Sequence, residues 1–199
     1  MAETSQRVRN PWGQGERLRA EILAAAAKLM SELDSDEGLT IRGVARAAGI
    51  SPGSIYQHFS DKSALVEGLI EYEFAQLAAT MRNADEQCPP DALLDRVRAQ
   101  MTAYCQFALD NPGHYRLIIN NRPATPRTGP LSDIVQQVAA LLQQCEDAGV
   151  RLRKPPQRAA IIVLVGVHGR VALEHSRAPA SRAADIPEFV DDLISLLTD

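Results

Sequence analysis

The chain has 199 residues, of which 45% are apolar, 23% are charged and only 5% are aromatic, and its formal net charge is −4. This is an ordinary globular balance, with enough length to bury the core of one large or two modest domains. The three cysteines, Cys88, Cys105 and Cys145, are widely spaced and form no CxxC pair. That spacing argues against a disulfide framework or a zinc site and favours reduced thiols, with a thiol redox sensor as the alternative.

The sequence predicts neither a signal peptide nor a membrane span. Its first residues lack the apolar stretch of a signal peptide, as we expect for a cytoplasmic protein. The most apolar segment, residues 159–173, is interrupted by His168 and Arg170 and is shorter than the roughly 20 apolar residues that a bilayer requires. We therefore expect a cytoplasmic protein in which this segment is a buried helix.

The acidic charge is unevenly distributed along the chain. Residues 1–62 hold eight Lys or Arg and eight Asp or Glu, and the remainder holds thirteen against seventeen. Four of the acids in the first part are clustered within residues 32–37, so that without them the first part is basic, eight against four. A locally basic region before an acidic remainder suits a protein that contacts phosphates with one face.

The predicted elements of the first third are short helices. Apolar residues at steps of three or four predict an amphipathic helix over residues 16–33. Thr40 can cap a second helix, residues 41–48, which Gly49 ends in a left-handed turn. Ser51 and Pro52 are typical of the start of a third helix, and Ser60 or Asp61 can cap a fourth that reaches about residue 81.

Helices are also predicted in the remainder of the chain. A proline-containing break at residues 88–91 precedes helices over 91–109, 131–148, 156–176 and 187–197. The prediction is an all-α fold without strands or internal repeats. A flexible arm (residues 1–14) precedes an N-terminal domain (residues 15–75) with a three-helix helix-turn-helix, and a larger C-terminal helical domain (residues 76–199) follows.

Residues 39–62, LTIRGVARAAGISPGSIYQHFSDK, form the most informative motif. Their spacing suits a helix, a tight glycine turn and a second helix that crosses the first. Ala45 and Ala48 let the two helices approach closely, while Ile55 and Phe59 fill the angle between them. Polar side chains remain outward on the second helix, which is narrow enough to enter the major groove of DNA.

This motif, followed by SALV and preceded by the alanine-rich helix RLRAEILAAAAKLM, resembles the TetR family of transcriptional regulators. The resemblance is strong over residues 15–70 and rests on the Thr-Ile-x-x-Val-Ala, Tyr-x-x-Phe and Ser-Asp-Lys elements. It implies that Thr40, Tyr56 and Lys62 contact phosphates and that Arg42 reaches a phosphate or a base edge. It also implies that the exposed face of the recognition helix reads bases, through Ser51, Gly53, Ser54, Gln57 and His58.

Structural roles are the alternatives for these residues. Tyr56 could be a core aromatic with a solvated hydroxyl, Lys62 a solvated surface lysine, and His58 a capping or packing residue. Arginines of the arm, such as Arg7 and Arg9, could follow the minor groove or have no role.

The second part of the chain has no catalytic signature, no metal-ligand spacing and no cofactor motif, so neither an enzyme, a metal nor a cofactor is predicted. NPGHYRLI (111–118) and LVGVHGRVAL (164–173) resemble the C-terminal domain of a TetR subgroup with a Trp-His-Gly pattern. Here His168 and Gly169 are present, and Leu164 stands where the tryptophan is usual. The alternative for His168 is a buried, hydrogen-bonded core residue.

The family resemblance also implies a homodimer and a small-molecule effector. In the family, the last two helices of each subunit pack together as a four-helix dimer interface. The candidate interface residues in this chain are Val163, Val167, Arg170, Val171, Phe189, Leu193 and Leu197. An effector between the helices would release the regulator from a near-palindromic double-stranded operator. The predicted pocket is mostly apolar and suits a lipophilic effector; its candidate residues are Met101, Tyr104, Phe107, His114, Tyr115, Leu164 and His168.

The sequence therefore predicts a homodimeric repressor, although it does not separate a repressor from an activator. Two other classes stay open. A helical enzyme or ligand carrier would turn over or hold a ligand without binding an operator. A protein-interaction module, such as an anti-activator, would form a complex with a protein and none with duplex DNA.

Overall fold

The structure, a computed structural model, describes residues 14–32, 38–113, 115, 117, 129–176 and 185–199. These residues contain eight α-helices: α1 (Gln14–Glu32), α2 (Ile41–Ala47), α3 (Pro52–Tyr56), α4 (Lys62–Glu86), α5 (Leu93–Asp110), α6 (Pro130–Asp147), α7 (Pro156–His175) and α8 (Ile186–Ser195). Strand pairing within the same residues is limited to one isolated antiparallel bridge between Leu152 and Thr198. The predicted all-α fold is confirmed. The arm residues 1–13 and most of the acidic cluster, residues 33–37, lie outside the described residues.

The chain divides into two compact units, Met1–Leu69 and Ile70–Asp199. The division falls inside α4, whereas the sequence places the domain boundary at residues 75 and 76.

In the first unit, α1 supplies one apolar face to a small core. Ile22, Ala26 and Met30 recur at steps of four along α1 and are fully buried. The side chains that complete this core come from the segments that follow: Leu39, Val44, Ala45, Ile55, Phe59, Leu65 and Leu69. A Cβ added to Gly43 would lie 3.3 Å from Cδ2 of Leu29, so α2 approaches α1 closely. The helix-turn-helix is thereby fixed on α1.

Local hydrogen bonds set the bounds of α2 and α3. The Thr40 hydroxyl accepts the Gly43 N–H (3.0 Å), and the Ser51 hydroxyl accepts the Ser54 N–H (3.1 Å), so each residue caps a helix as predicted. Gly49 lies in the left-handed region with φ 68°. The Gly49 N–H donates to the Arg46 carbonyl oxygen (3.2 Å) and the Ile50 N–H to that of Ala45 (3.0 Å), a Schellman motif. The chain can therefore reverse within a few residues.

The start and end of α4 are held by carboxylates. Asp61, one of the two predicted caps, accepts the Ala64 N–H at 2.8 Å. The helix runs to Glu86 instead of ending near residue 81, because residues 82–86 are compatible with a helix and no proline occurs before Pro89. Arg96 of α5 also donates two hydrogen bonds to the Asp85 carboxylate (2.6 and 3.1 Å), which supports this last turn.

In the second unit, α5 packs against α6, α7 and α8, and α7 packs against α6 and α8. The core between them is aliphatic, as the low aromatic content requires, and includes Val97, Met101, Ile134, Leu142, Val163, Val167 and Ile194. None of the helices within the described ranges combines the length and the apolar content needed to cross a membrane.

Contacts at Gly166 and Arg170 join α7 to α8. A Cβ on Gly166 would lie 2.6 Å from Cδ2 of Leu193, so the glycine makes room for this leucine. The buried Arg170 guanidinium pairs with Glu174, at 2.5 Å, and with Asp185 just before α8. The same guanidinium lies 5.8 Å from the ring centre of Phe189. The pairing compensates the buried positive charge, and loss of either carboxylate would leave part of it uncompensated.

We predict that Gly49→Ala lowers the free energy of unfolding by about 1 to 2 kcal/mol, because a Cβ disfavours the left-handed conformation that the turn requires. Gly53→Ala is the matched control. Gly53 is within α3, and its added Cβ would lie 3.6 Å from the Ser51 Oγ, an ordinary contact. Urea denaturation followed by circular dichroism measures both changes. Equal stability of the two variants would contradict the role of Gly49.

Candidate functional site

The short helix α3 exposes polar groups on one side and buries apolar groups on the other. Ile55 and, just after the helix, Phe59 are buried. The predicted base-contacting residues are outward: Ser51, Gly53 and Gln57 are exposed, and Ser54 and His58 are half-buried. The exposed face thus carries hydroxyl, amide and imidazole groups within two turns.

Tyr56 is 56% exposed. This exposure rules out the alternative in which Tyr56 is a core aromatic. It is the last residue of α3, and its phenolic hydroxyl can both donate and accept hydrogen bonds.

The two capping hydroxyls keep further hydrogen-bonding capacity. Thr40 is exposed, and its Oγ1 uses a lone pair to accept the Gly43 N–H. The hydroxyl proton can therefore still donate to an external acceptor. The Oγ atoms of Ser51 and Ser54 lie 2.9 Å apart, so one hydroxyl donates to the other and one proton of the pair stays available.

Arg42 and Lys62 are both exposed, Arg42 in the first turn of α2 and Lys62 at the first residue of α4. The Ala64 N–H bound to the neighbouring Asp61 lowers the pKa of that carboxyl group, which therefore stays ionised and holds the start of α4. Exposed cationic and hydroxyl groups thus lie at the starts of α2 and α4, the helices that precede and follow α3 in the chain. This is the combination that binds the phosphates of a duplex while a helix reads base edges.

The second unit contains a cavity of about 260 Å³ among α4, α5, α6 and α7. Five of the seven predicted pocket residues line it: Tyr104, Phe107, Tyr115, Leu164 and His168. Met101 is fully buried in the core and is not among the lining residues. His114 lies outside the described residues.

Three hydrogen-bonding groups meet at the wall of this cavity. The Tyr104 hydroxyl lies 2.8 Å from Nδ1 of His168, and the Tyr115 hydroxyl donates to the His168 carbonyl oxygen at 3.3 Å. The rings of Tyr115 and His168 are tilted, with centres 5.2 Å apart. Burial lowers the pKa of His168, so its imidazole is neutral at neutral pH.

Sequence reasoning missed the lining residues on α4 and α6, and part of those on α5 and α7. They are Phe74, Leu77, Ala108, Leu131, Val135, Ile161 and Val165. Their apolar character is visible in the sequence, but it does not separate a side chain that lines a cavity from one that fills the core. That distinction depends on how α4 and α6 pack beside α5 and α7.

Five of the seven candidate dimer-interface residues are buried within their own chain: Val163, Val167, Arg170, Val171 and Leu197. Phe189 and Leu193 are half-buried. The large exposed apolar side chains of the same helices belong to Ile161, Ile162, Val165 and Leu173 of α7 and to Leu196, just after α8. The helices named from the sequence thus present an apolar surface, with different residues outward.

The cysteines are free thiols, and Cys105 and Cys145 are buried. Burial raises the pKa of Cys105 to about 12 and also raises that of Cys145, so both stay protonated and weakly nucleophilic. Within the described ranges, no group of three or more His, Cys, Asp or Glu side chains is arranged to hold a metal ion.

Solved structures resemble the chain over nearly its whole length. A protein of unknown function from Rhodococcus sp. RHA1 is 26% identical, with a TM-score of 0.74 over 96% of this chain and all of that one. A TetR-family transcriptional regulator from Pectobacterium atrosepticum is 21% identical, with a TM-score of 0.72 over 94% and 96% of the two chains. A TetR-family protein from Vibrio parahaemolyticus is 24% identical, with a TM-score of 0.67 over 92% of this chain and 99% of that one. The last two proteins, at 21% and 24% identity, are similar to this chain in fold.

Family comparisons match both parts of the chain. Residues 22–69 match the bacterial regulatory proteins of the tetR family, and residues 97–197 match a tetracyclin repressor-like C-terminal domain. The second match alone spans more than half of the 199 residues. TetR-family proteins are DNA-binding regulators and not enzymes. The chain therefore belongs to the TetR family and is a DNA-binding transcriptional regulator.

Proposed function

We propose that the protein is a homodimeric repressor that leaves its operator when a small, mainly apolar effector binds. In this proposal residues 15–75 bind DNA in the cytoplasm, after an arm over residues 1–14, and residues 76–199 hold the effector and the dimer contact. The observation that carries the proposal is the capped helix α3, which turns Ile55 inward and leaves Ser51, Tyr56 and Gln57 exposed. The repressor-like description of the matching C-terminal domain supports repression over activation.

The side chains around α3 divide into two roles. Thr40, Tyr56 and Lys62 offer two hydroxyls and an ammonium to phosphates, and Arg42 can join them or reach a base edge. Just after α3, the amide of Gln57 can pair with adenine, and His58 can donate to guanine. The remaining candidates, Ser51, Gly53 and Ser54, offer hydroxyls and a close backbone approach to the same groove.

The proposed dimer contact is the α7–α8 face, which we define as the exposed residues Ile162, Val165, Gly169, Leu173 and Leu196 with the half-buried Phe189 and Leu193. Exposed apolar surface of this kind is typical of an interaction site. A two-fold axis through such a face presents two copies of α3 to successive major-groove segments. The operator is then near-palindromic.

The proposed effector site is the cavity beside Tyr104 and His168. Aromatic and aliphatic side chains form most of its wall, which suits an apolar ligand. Two of its lining residues, Ile161 and Val165, are exposed on α7, so the cavity and the α7–α8 face share one helix. An effector acts on DNA binding only as far as its affinity differs between the DNA-competent and the released conformations.

Substitutions at Lys62 and Tyr56 test the phosphate contacts with DNA from the promoter region of the gene itself. Lys62→Ala should weaken binding about tenfold and reduce the salt dependence of log Kd by about one unit per contact, because fewer counterions are released. Tyr56→Phe removes only a neutral hydroxyl, so it should weaken binding about fivefold without changing the salt dependence. Fluorescence anisotropy at several salt concentrations measures both effects.

Lys154→Ala is the matched control for charge. Lys154 is exposed in the segment between α6 and α7, so its loss changes the net charge equally but should leave the affinity and the salt dependence as they are. Weak, sequence-independent binding that neither Lys62→Ala nor Tyr56→Phe alters would contradict the proposal.

Leu173→Asp tests the dimer contact. Leu173 is 59% exposed on α7, so the substitution does not disturb the core of one chain, but it places a carboxylate in the proposed apolar contact. We expect the dimer to dissociate at least tenfold more readily in analytical ultracentrifugation, with operator binding weakened in parallel.

Ala140→Asp on α6 is the control for this substitution. Ala140 is exposed and outside the α7–α8 face, so the same kind of change should leave the oligomeric state unaltered. If the Leu173→Asp variant dimerises as readily as the unsubstituted protein, the proposed dimer contact on the α7–α8 face is wrong.

A further inference from the structure

A hydrogen-bonded tyrosine–histidine pair lies in the mainly apolar wall of the cavity in the second unit. Tyr104 on α5 is 7% exposed, and its hydroxyl lies 2.8 Å from Nδ1 of His168 on α7. His168 is half-buried and lines the cavity. The pair therefore determines which nitrogen of His168 can donate a hydrogen bond to a ligand in the cavity.

The position of one proton follows from the burial of Tyr104. Within the described ranges, Nδ1 of His168 is the only hydrogen-bond partner of the Tyr104 hydroxyl. A buried O–H group that donates to no acceptor is costly, so Tyr104 donates and Nδ1 is the acceptor. Burial raises the pKa of Tyr104 and lowers that of His168, so both side chains are neutral at neutral pH. The single proton of the imidazole is then on Nε2.

This arrangement leaves a donor for a ligand. In the part of the chain that the structure describes, Nε2 of His168 has no hydrogen-bond partner. None of the described lining residues carries a formal charge at neutral pH, since the other polar groups of the wall are the two tyrosine hydroxyls. Among these described residues a carboxylate would find no cation to pair with, which is unfavourable in an apolar site, whereas a neutral carbonyl oxygen needs only a donor.

We propose that the cavity binds compact, mainly apolar molecules that carry a neutral carbonyl group, such as a ketone, ester, lactone or amide, and that the Nε2–H of His168 donates to this carbonyl. Tyr104 is the positioning residue, because its hydroxyl keeps the imidazole proton on Nε2. The volume of about 260 Å³ is below the roughly 300–1,000 Å³ of sites for drug-sized ligands, which limits the ligand to a compact one. The ligand class rests on the proposed function only where the cavity is taken as the effector site.

The first test is the tautomer of His168 in the protein without any ligand. In a ¹⁵N-histidine-labelled sample, NMR should show Nδ1 at the chemical shift of an unprotonated nitrogen and Nε2 at that of a protonated one. The signals are assigned by their loss in His168→Phe. Tyr104→Phe should move the two shifts toward values averaged between tautomers, whereas Tyr115→Phe, whose hydroxyl donates to a backbone oxygen, should not. A protonated Nδ1 in the unsubstituted protein would overturn the proposal.

The second test compares three probes of similar outline by NMR titration: benzylacetone, which carries a ketone, butylbenzene, which has no acceptor, and hydrocinnamate, which carries a carboxylate. We expect benzylacetone to bind about fivefold more tightly than butylbenzene, although its carbonyl makes it less hydrophobic. Hydrocinnamate should bind most weakly. Equal binding of benzylacetone and butylbenzene, tightest binding of hydrocinnamate, or binding of none of the three would each overturn the proposed ligand class.

Variants then assign the preference to the pair. His168→Phe should keep butylbenzene binding and lose the preference for the ketone, and Tyr104→Phe should reduce this preference. Tyr115→Phe is the matched control in the same wall and should retain it. Circular dichroism verifies folding, and if His168→Phe does not fold, the comparison of the two tyrosine variants decides. Unchanged preference in Tyr104→Phe would then overturn its positioning role.

Operator binding is measured separately with and without benzylacetone. If the probe binds with the expected preference but operator affinity is unchanged, the effector assignment fails and the ligand class stands. If the operator is bound but the preference for the ketone is absent, the ligand class fails and the DNA-binding function stands.

Discussion

The second unit depends on the packing of α7, which carries apolar side chains on nearly every face. One stripe, with Val163, Val167 and Val171, is fully buried against the neighbouring helices. A second, with Leu164 and His168, lines the cavity, and a third, with Ile162 and Leu173, is exposed. A helix that is apolar all round must be covered on more than one side. The core satisfies one side, and the proposed ligand and partner would cover the other two.

Much of the fold could be predicted because its signals are local. The caps Thr40 and Ser51 and the left-handed Gly49 act through hydrogen bonds to residues within five positions, so the sequence contains the whole interaction. The helix bounds near these residues were accordingly accurate. The sequence placed the end of α4 near residue 81, although residues 82–86 are compatible with a helix. The hydrogen bonds from Arg96 of the next helix to Asp85 support the last turn of α4 and could not be predicted. A contact between two helices has no signature in the periodicity of either one.

In the candidate sites too, features set by local sequence could be predicted, whereas features set by helix packing could not. The outward residues of α3 and of the turn after it follow from the positions of Ile55 and Phe59, because two buried apolar residues in so short a segment leave few alternatives for the remaining side chains. On α7 this argument fails, because apolar residues of the same type face the core, the cavity and the exterior. The sequence therefore named Val163 and Val167 for the dimer contact, but both are buried in the core, and other residues of α7 are the exposed apolar ones. Only the direction in which α8 packs on α7, through Gly166 and Leu193, determines which stripe stays exposed.

The polar pair in the cavity links the chemistry of a ligand to the position of α7. His168 is held by Tyr104 of α5 through its side chain and by Tyr115 through its backbone oxygen, so the imidazole and the helix backbone are fixed together. A ligand that accepts a hydrogen bond from Nε2 adds a third constraint on the same residue. Gly169 and Leu173, one and five residues further along α7, belong to the proposed dimer contact. In the proposed mechanism, a small displacement of α7 by the ligand would reach the proposed contact between protomers, because packed helices move as rigid bodies between discrete arrangements. Differential binding to two such arrangements is all that an effector requires to change the affinity for DNA.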